Sequence, residues 1–248
     1  MLHPTVFNTA QICAELGVKH AVISPGSRNA PLTISFARHD KIQSWSIPDE
    51  RAAAFIALGI AEETQSPVAL CCTSGTALLN YGPAIAEAYY KQIPLVVLSA
   101  DRPPELIDQR DGQTIRQFEA LKNHVKSSHQ LPIIEDDAQD ASFEEIMINA
   151  IKHTFELPFG PVHINVPFRE PFYPTKDQEL AYTPLNLDTK TEILLPTDEI
   201  DLSSFKKILI LVGQQSRNEQ LDQQLLALGE QIPVIKTPLN NLAGGIEH

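Results

Sequence analysis

The sequence predicts an α/β fold: a doubly wound, mainly parallel sheet with helices on both faces. Three observations point to it. Segments of strand and helix character alternate from Thr5 to Ala100, the order that βαβ crossovers produce. Val68-Ala69-Leu70-Cys71-Cys72 and Pro94-Leu95-Val96-Val97-Leu98 are apolar without interruption, as strands covered on both faces are. Ser24-Pro25-Gly26-Ser27-Arg28, Thr73-Ser74-Gly75-Thr76-Ala77 and Ala100-Asp101-Arg102-Pro103-Pro104-Glu105-Leu106 all fall where a strand gives way to a loop or helix. In open α/β sheets that edge is where ligands bind.

Thr5 to Leu16 reads as an amphipathic helix, with Val6, Ala10, Cys13, Ala14 and Leu16 near helical spacing and Gly17 as its stop. His20 to Ser24 is a short buried strand, and Pro25-Gly26 turns the chain into a helix from Asn29 to Ala37. Lys41 to Ile47 is strand, its end from Gln43 onward expected to be buried. Pro48 forbids helix just before it, and Asp49 is the expected N-cap of a helix from Glu50 to Glu63. Pro67 to Thr73 is strand, Thr76 to Tyr90 helix and Ile93 to Ala100 strand. Asp101 to Gln113 is a polar, proline-containing loop, and long loops inside compact domains are more often functional than idle. A helix over Thr114 to Lys122, a strand over His124 to Gln130, a helix over Ser142 to Leu157 and a buried strand over Gly160 to Pro167 complete a first domain, residues 1–170. Residues 171–205 carry prolines and polar residues with little periodicity and read as a linker. Strand, helix and strand patterns at Lys207 to Gly213, Asn218 to Leu228 and Ile232 to Lys236 make residues 206–248 the beginning of a truncated second α/β domain, too short to close a core.

Composition narrows the function. With 43% hydrophobic and 20% charged residues the chain is an ordinary soluble globular one, and no apolar run approaches the roughly 20 residues a bilayer span needs. No signal peptide is visible at Met1-Leu2-His3-Pro4-Thr5. Of the 3 cysteines, Cys71 and Cys72 are adjacent in a core strand, which speaks against a disulfide framework and fits a reducing, cytoplasmic setting. A net charge of -12 argues against nucleic acid or an anionic membrane as partner. An anionic small substrate stays open, because Arg102, Arg110 and Arg116 gather in one stretch while Arg28 and Arg51 stand at other strand ends.

Several chemistries lack their fingerprints. No G-x-G-x-x-G follows the first strand and no P-loop is present. His124 and His129 have no metal-ligand spacing, and His163 alternates with core residues and reads as packed. The G-x-S-x-G elbow is absent around Ser74, so Ser74, Gly75 and Thr76 read as a helix cap that lets a ligand approach the backbone. Taken singly, Glu50 is a first-turn residue supporting its helix, Arg28 a solvated helix start, and Arg102 one half of an ion pair with Asp101 of little net value.

Together and in this order, Ser24-Pro25-Gly26-Ser27-Arg28, Asp49-Glu50-Arg51 with Ala57-Leu58-Gly59, Thr73-Ser74-Gly75-Thr76-Ala77, Ala100 to Leu106, and Val162-His163-Ile164-Asn165-Val166-Pro167-Phe168 resemble the N-terminal part of the 2-succinyl-5-enolpyruvyl-6-hydroxy-3-cyclohexene-1-carboxylate (SEPHCHC) synthase family. These are thiamine-diphosphate enzymes of menaquinone biosynthesis. The resemblance implies a pyrimidine-type domain in which Glu50, with its carboxyl shielded from water, contacts the ring nitrogen N1′ of the cofactor as a proton relay. It implies cofactor contacts from Thr73, Ser74 and Gly75, and a substrate pocket lined by Ser27, Arg28, Arg102 and Gln113, whose arginine forks would pair with carboxylates. The implied reaction is decarboxylation of 2-oxoglutarate and addition of the resulting succinyl-semialdehyde carbanion to isochorismate. The implied working form is a homodimer or homotetramer. Gln109-Arg110-Asp111-Gly112-Gln113 departs from the family's small-residue and Asn pattern. The family's diphosphate and Mg2+ or Mn2+ site resembles a Gly-Asp-Gly to Asn motif that these residues do not contain, so no metal ligand is expected here and the fragment alone is expected to be inactive and to bind cofactor poorly. Two other readings are weighed against this one. The first is the pyrimidine domain of another thiamine-diphosphate enzyme, acetolactate-synthase-like, which Asp101-Arg102 and Ser27-Arg28 fit less well than dicarboxylate substrates. The second is a non-catalytic α/β assembly module.

Overall fold

The computed structural model describes residues 4–134, 137–170, 172–174, 182–183, 201–202, 204–214 and 218–237. Their backbone contacts divide the chain into two compact units, Met1–Ile193 and Leu194–His248. The expected linker over 171–205 lies mostly outside the described residues.

In the first unit, β1 (His20–Ile23), β2 (Gln43–Ser46), β3 (Val68–Cys72), β4 (Leu95–Asp101), β5 (Ser128–Gln130) and β6 (Val162–Pro167) form one sheet in the order β2-β1-β3-β4-β6-β5. Every pairing is parallel. The core strands β3 and β4 are buried at every position, as their unbroken apolar sequence predicts. Helices α1 (Asn8–Glu15), α2 (Ala30–Ala37) and α6 (Asp137–Thr154) pack on one face, where Phe36, Phe143 and Met147 meet Ile23, Cys71, Leu98 and Ile164. On the other face α3 (Glu50–Thr64), α4 (Ala77–Asn80) and α5 (Gly82–Lys91) pack against Val22, Leu70, Cys72 and Val97. The small residues Ala53, Ala54, Ala57 and Ala61 form the buried side of α3, so its backbone lies close on β1 and β3. The fold class is the doubly wound one, with a mainly parallel sheet and helices on both faces.

Four local expectations are corrected. The segment ending in Ile47 is not a buried strand: β2 is the sheet's edge and Trp45 is 40% exposed. The expected helix over Thr76 to Tyr90 is broken into α4 and α5, because Gly82 and Pro83 restart it and Pro is accommodated only in a first turn. Thr114 to Lys122 is not helical, since Gln113 and Glu119 adopt left-handed φ of 57° and 61° that interrupt any helix there. The N-terminal helix is not amphipathic in its setting: Asn8 and Gln11 are buried along with Ile12 and Cys13, and Asn8 bonds Glu144 of α6 and the backbone N–H of Thr183.

The second unit is described over β7 (Ile210–Val212), α7 (Glu219–Gly229) and β8 (Val234–Lys236). Its parallel pair packs Val212 and Val234 on Leu225 of the helix.

Candidate functional site

The chain runs from β1 outward to β2, then returns to β3 on the other side of β1. The carboxyl ends of β1 and β3 therefore flank a topological switch point, the place where such sheets bind ligands. Asn29, fully buried, closes the loop after β1: its Oδ1 accepts the Gly26 N–H at 2.8 Å and its Nδ2 donates to the Ser24 carbonyl at 3.0 Å. The Tyr81 hydroxyl donates to the Cys71 carbonyl at 2.8 Å and lies 3.2 Å from Ser24 Oγ. Gly26 lies directly against Thr73, bringing the first predicted turn onto the second. Ser27 is exposed at the rim.

Glu50 begins α3. As expected, Asp49 caps that helix, its Oδ1 accepting the Ala52 N–H at 2.7 Å. The Glu50 carboxylate makes no hydrogen bond among the described residues, and its charge reaches the buried Cys72 thiol and Tyr81 phenol at the end of β3. Both of those groups are pushed up chiefly by burial. The carboxyl itself is half-buried rather than dry, because the edge strand before it and the outward face of α3 are open to solvent in the single chain.

Arg28 is held more firmly than a solvated helix start, and Arg102 more firmly than an ion pair with Asp101. Arg28 is 8% exposed, donates from Nη1 to the Phe168 carbonyl at 2.8 Å, and stacks 4.6 Å over the Phe172 ring. Its Nε is buried without a partner among the described residues, and burial first, then the charge of Arg102, pulls its pKa down. Arg102 does not pair with Asp101 through its guanidinium; Asp101 accepts its backbone N–H at 2.7 Å. The guanidinium instead donates from Nε to Asp111 at 2.6 Å, from Nη1 to Ser74 Oγ at 2.8 Å and from Nη2 to the Gly112 carbonyl. Of five N–H groups, that leaves one on each terminal nitrogen. The bond from Arg102 holds the Asp111 carboxyl below the usual carboxylate range. Gln113 Nε2 donates to the Ser74 carbonyl at 3.0 Å, while Arg116 turns away to a solvent-exposed pair with Asp108.

A buried polar network beside this site escaped the sequence reading. Where Ser99, Asp101, His163 and Asn165 line one face of β4 and β6, residues of the 102–127 segment cover them through Gln117, Leu121 and Val125. Asn165 donates to Asp101 at 2.7 Å and to Gln130 at 2.9 Å and accepts from Ser99 and Gln117. His163 Nε2 lies 2.7 Å from Ser99 Oγ, which bears out its reading as a packed residue. The available signal was two polar residues two apart, His163 and Asn165, inside an otherwise apolar strand. Among the described residues no group of three His, Cys, Asp or Glu side chains could hold a metal ion, and no helix is long and apolar enough to cross a membrane.

The switch point of this parallel sheet thus gathers a first-turn glutamate, a Ser-Gly turn and two enclosed arginines. Residues 8–122 match the family described as thiamine pyrophosphate enzyme, N-terminal TPP binding domain. Over nearly its whole length the chain is similar to part of each of several SEPHCHC synthases. It is 46% identical to that of Cytophaga hutchinsonii over 96% of this chain and 44% of the relative, and 43% identical to that of Christiangramia forsetii over 96% and 45%. Against that of Desulfotalea psychrophila it is 49% identical over 90% of this chain and 42% of the relative. The chain thus spans less than half the length of these curated relatives.

The residues present fit the pyrimidine end of thiamine diphosphate. A ring nitrogen needs a carboxyl not already engaged by protein, and Glu50 is such a group among the described residues. Gly75, at φ 87°, makes the turn beside it, where a Cβ would stand 3.0 Å from Gln113.

Proposed function

We propose that this chain is the pyrimidine-binding part of a SEPHCHC synthase, a transferase acting as a carboligase in menaquinone biosynthesis. The observation that supports this most is the convergence of the Glu50 helix start, the Thr73–Gly75 turn and the enclosed Arg28 and Arg102 on one sheet edge. The reaction is decarboxylation of 2-oxoglutarate and addition of the remaining four-carbon unit to isochorismate. Thiamine diphosphate, when bound, supplies the electron sink that lets carbon dioxide leave. Glu50 holds or releases a proton at the aminopyrimidine N1′, and Thr73, Ser74 and Gly75 support the ring. Ser27, Arg28, Arg102 and Gln113 receive substrate carboxylates, Arg102 through its two remaining N–H groups. The diphosphate and its Mg2+ or Mn2+ are held by residues other than those of this chain.

In this reading residues 1–170 are the pyrimidine domain, 171–205 a linker and 206–248 the start of a central domain. The working form is a homodimer or homotetramer whose second subunit dries Glu50; the exposed Phe55 and Ile56 on α3 support a covered face there. The free, buried Cys13, Cys71 and Cys72 go with a cytoplasmic protein.

The test is to supply the full-length protein with thiamine diphosphate and Mg2+, with 2-oxoglutarate and isochorismate in one reaction and pyruvate in a parallel one, and follow the products by mass spectrometry. Formation of the adduct is expected. Consumption of pyruvate with 2-oxoglutarate untouched would favour an acetolactate-synthase-like enzyme, and no turnover of either an assembly module.

A further inference from the structure

Both hydrogen-bonding groups of the peptide between Ser74 and Gly75 are taken by two glutamines four residues apart. Gln113 Nε2 donates to the Ser74 carbonyl at 3.0 Å, and Gln117 Oε1 accepts the Gly75 N–H at 2.6 Å. Gln117 is only 1% exposed and its own amide nitrogen is engaged, donating to the Ala100 carbonyl at 3.1 Å and to Asn165 Oδ1 at 3.0 Å. It is thereby tied to the last turns of β4 and β6 and cannot swing with the surface. Gly75 has φ 87°, and a Cβ there would stand 3.0 Å from both Cγ and the carbonyl oxygen of Gln113. A glycine peptide can turn over at little steric cost, so its direction has to be set from outside, and among the described residues the buried side chain bonded to its N–H is Gln117.

We propose that Gln117 is a positioning residue for the cofactor-binding turn: with Gln113 it fixes the Ser74–Gly75 peptide plane on which the pyrimidine ring rests. This builds on the thiamine-diphosphate reading above. Arg102 donates to Ser74 Oγ at 2.8 Å but is also held by Asp111 and the Gly112 carbonyl, so its position does not depend on the direction of this peptide. Gln117 itself touches neither ligand.

The experiment uses the full-length protein, Gln117→Met, and thiamine diphosphate with Mg2+ as the probe. Methionine keeps the volume and removes both the acceptor and the donors. The cofactor dissociation constant is expected to rise about tenfold. At saturating cofactor, the KM for 2-oxoglutarate should stay within about twofold of the parent; a merely structural role would lower thermal stability without that split. If Gln117→Met fails to fold, Gln113→Ala decides, because its side chain is exposed and it releases only the carbonyl end of the same peptide. Its cofactor constant is expected to rise about threefold. Tight cofactor binding by the parent with no change in the folded variants overturns the positioning role and leaves the proposed function standing. Failure of the parent to bind the cofactor at all overturns the proposed function itself, and this inference with it.

Discussion

Gly26 and Thr73 meet so closely at the switch point that a Cβ on Gly26 would stand 2.5 Å from the Cβ of Thr73. Both atoms would be fixed to backbone, so neither could rotate away. Gly26→Ala should therefore destabilise the domain by about 1–3 kcal/mol, the usual range for overpacking, measured by denaturant unfolding. Unchanged stability would mean that the two loops can separate freely.

The Arg102–Asp111 pair makes a second prediction. Asp111 takes the Nε–H, and one N–H on each terminal nitrogen remains for a ligand, so Asp111→Ala in the full-length protein should raise the KM of a carboxylate substrate about tenfold. Asp111→Asn, which keeps an acceptor oxygen, should restore most of it. Equal KM values in all three proteins would remove Asp111 from the site. The Asp111 carboxyl is held low, so the pair's contribution is complete above the unfolded carboxylate pKa and is lost as pH falls through the lower folded value.

How much was legible in the sequence varies with the range of the interaction. The apolar runs of β3 and β4 and the Asp49 cap of α3 depend on neighbours within a few residues, and they are where local pattern puts them. The parallel sheet follows from the βα alternation, whereas the strand order around the switch point is seen only in the structure. What local pattern could not show was partner choice. Arg102 prefers Asp111, nine residues on, to the adjacent Asp101, because the left-handed Asp108, Arg110 and Gln113 fold the loop back on itself. Gln117 lies in a stretch with helical spacing, yet its amide is drawn into a network with Gly75 and Asn165 that a helix would break. The exposure of β2 depends on which strand becomes the sheet's edge, a property of the whole topology.

The outward face of α3 carries Ala52, Phe55, Ile56 and Gly59 at helical spacing, all exposed. Nothing lies within 4 Å of a Cβ built on Gly59, so another helix could approach closely there. Phe55→Asp should lower the mass of the full-length protein in solution, read by light scattering. An unchanged mass would contradict α3 as a subunit interface.

His163 predicts a pH dependence. It is fully buried, and burial first, then the charge of His129, lowers its pKa from an ordinary 6.5 to about 4. Between those values the unfolded chain binds a proton that the folded one refuses, so stability is complete above pH 6.5 and falls as pH drops toward 4. The loss from this group is about 3 kcal/mol. His163→Gln should flatten that part of the stability curve in denaturant titrations from pH 7 to 4; a slope as steep as the parent's would assign it to other groups.

The central claim is that Glu50 exchanges a proton with the cofactor's aminopyrimidine, and Glu50→Gln in the full-length protein tests it most directly. The side chain is at a helix start and makes no hydrogen bond among the described residues, so the fold should survive the change. Turnover of 2-oxoglutarate with isochorismate at saturating cofactor should then fall about 10²–10⁴-fold. A kcat within about twofold of the parent would contradict the account.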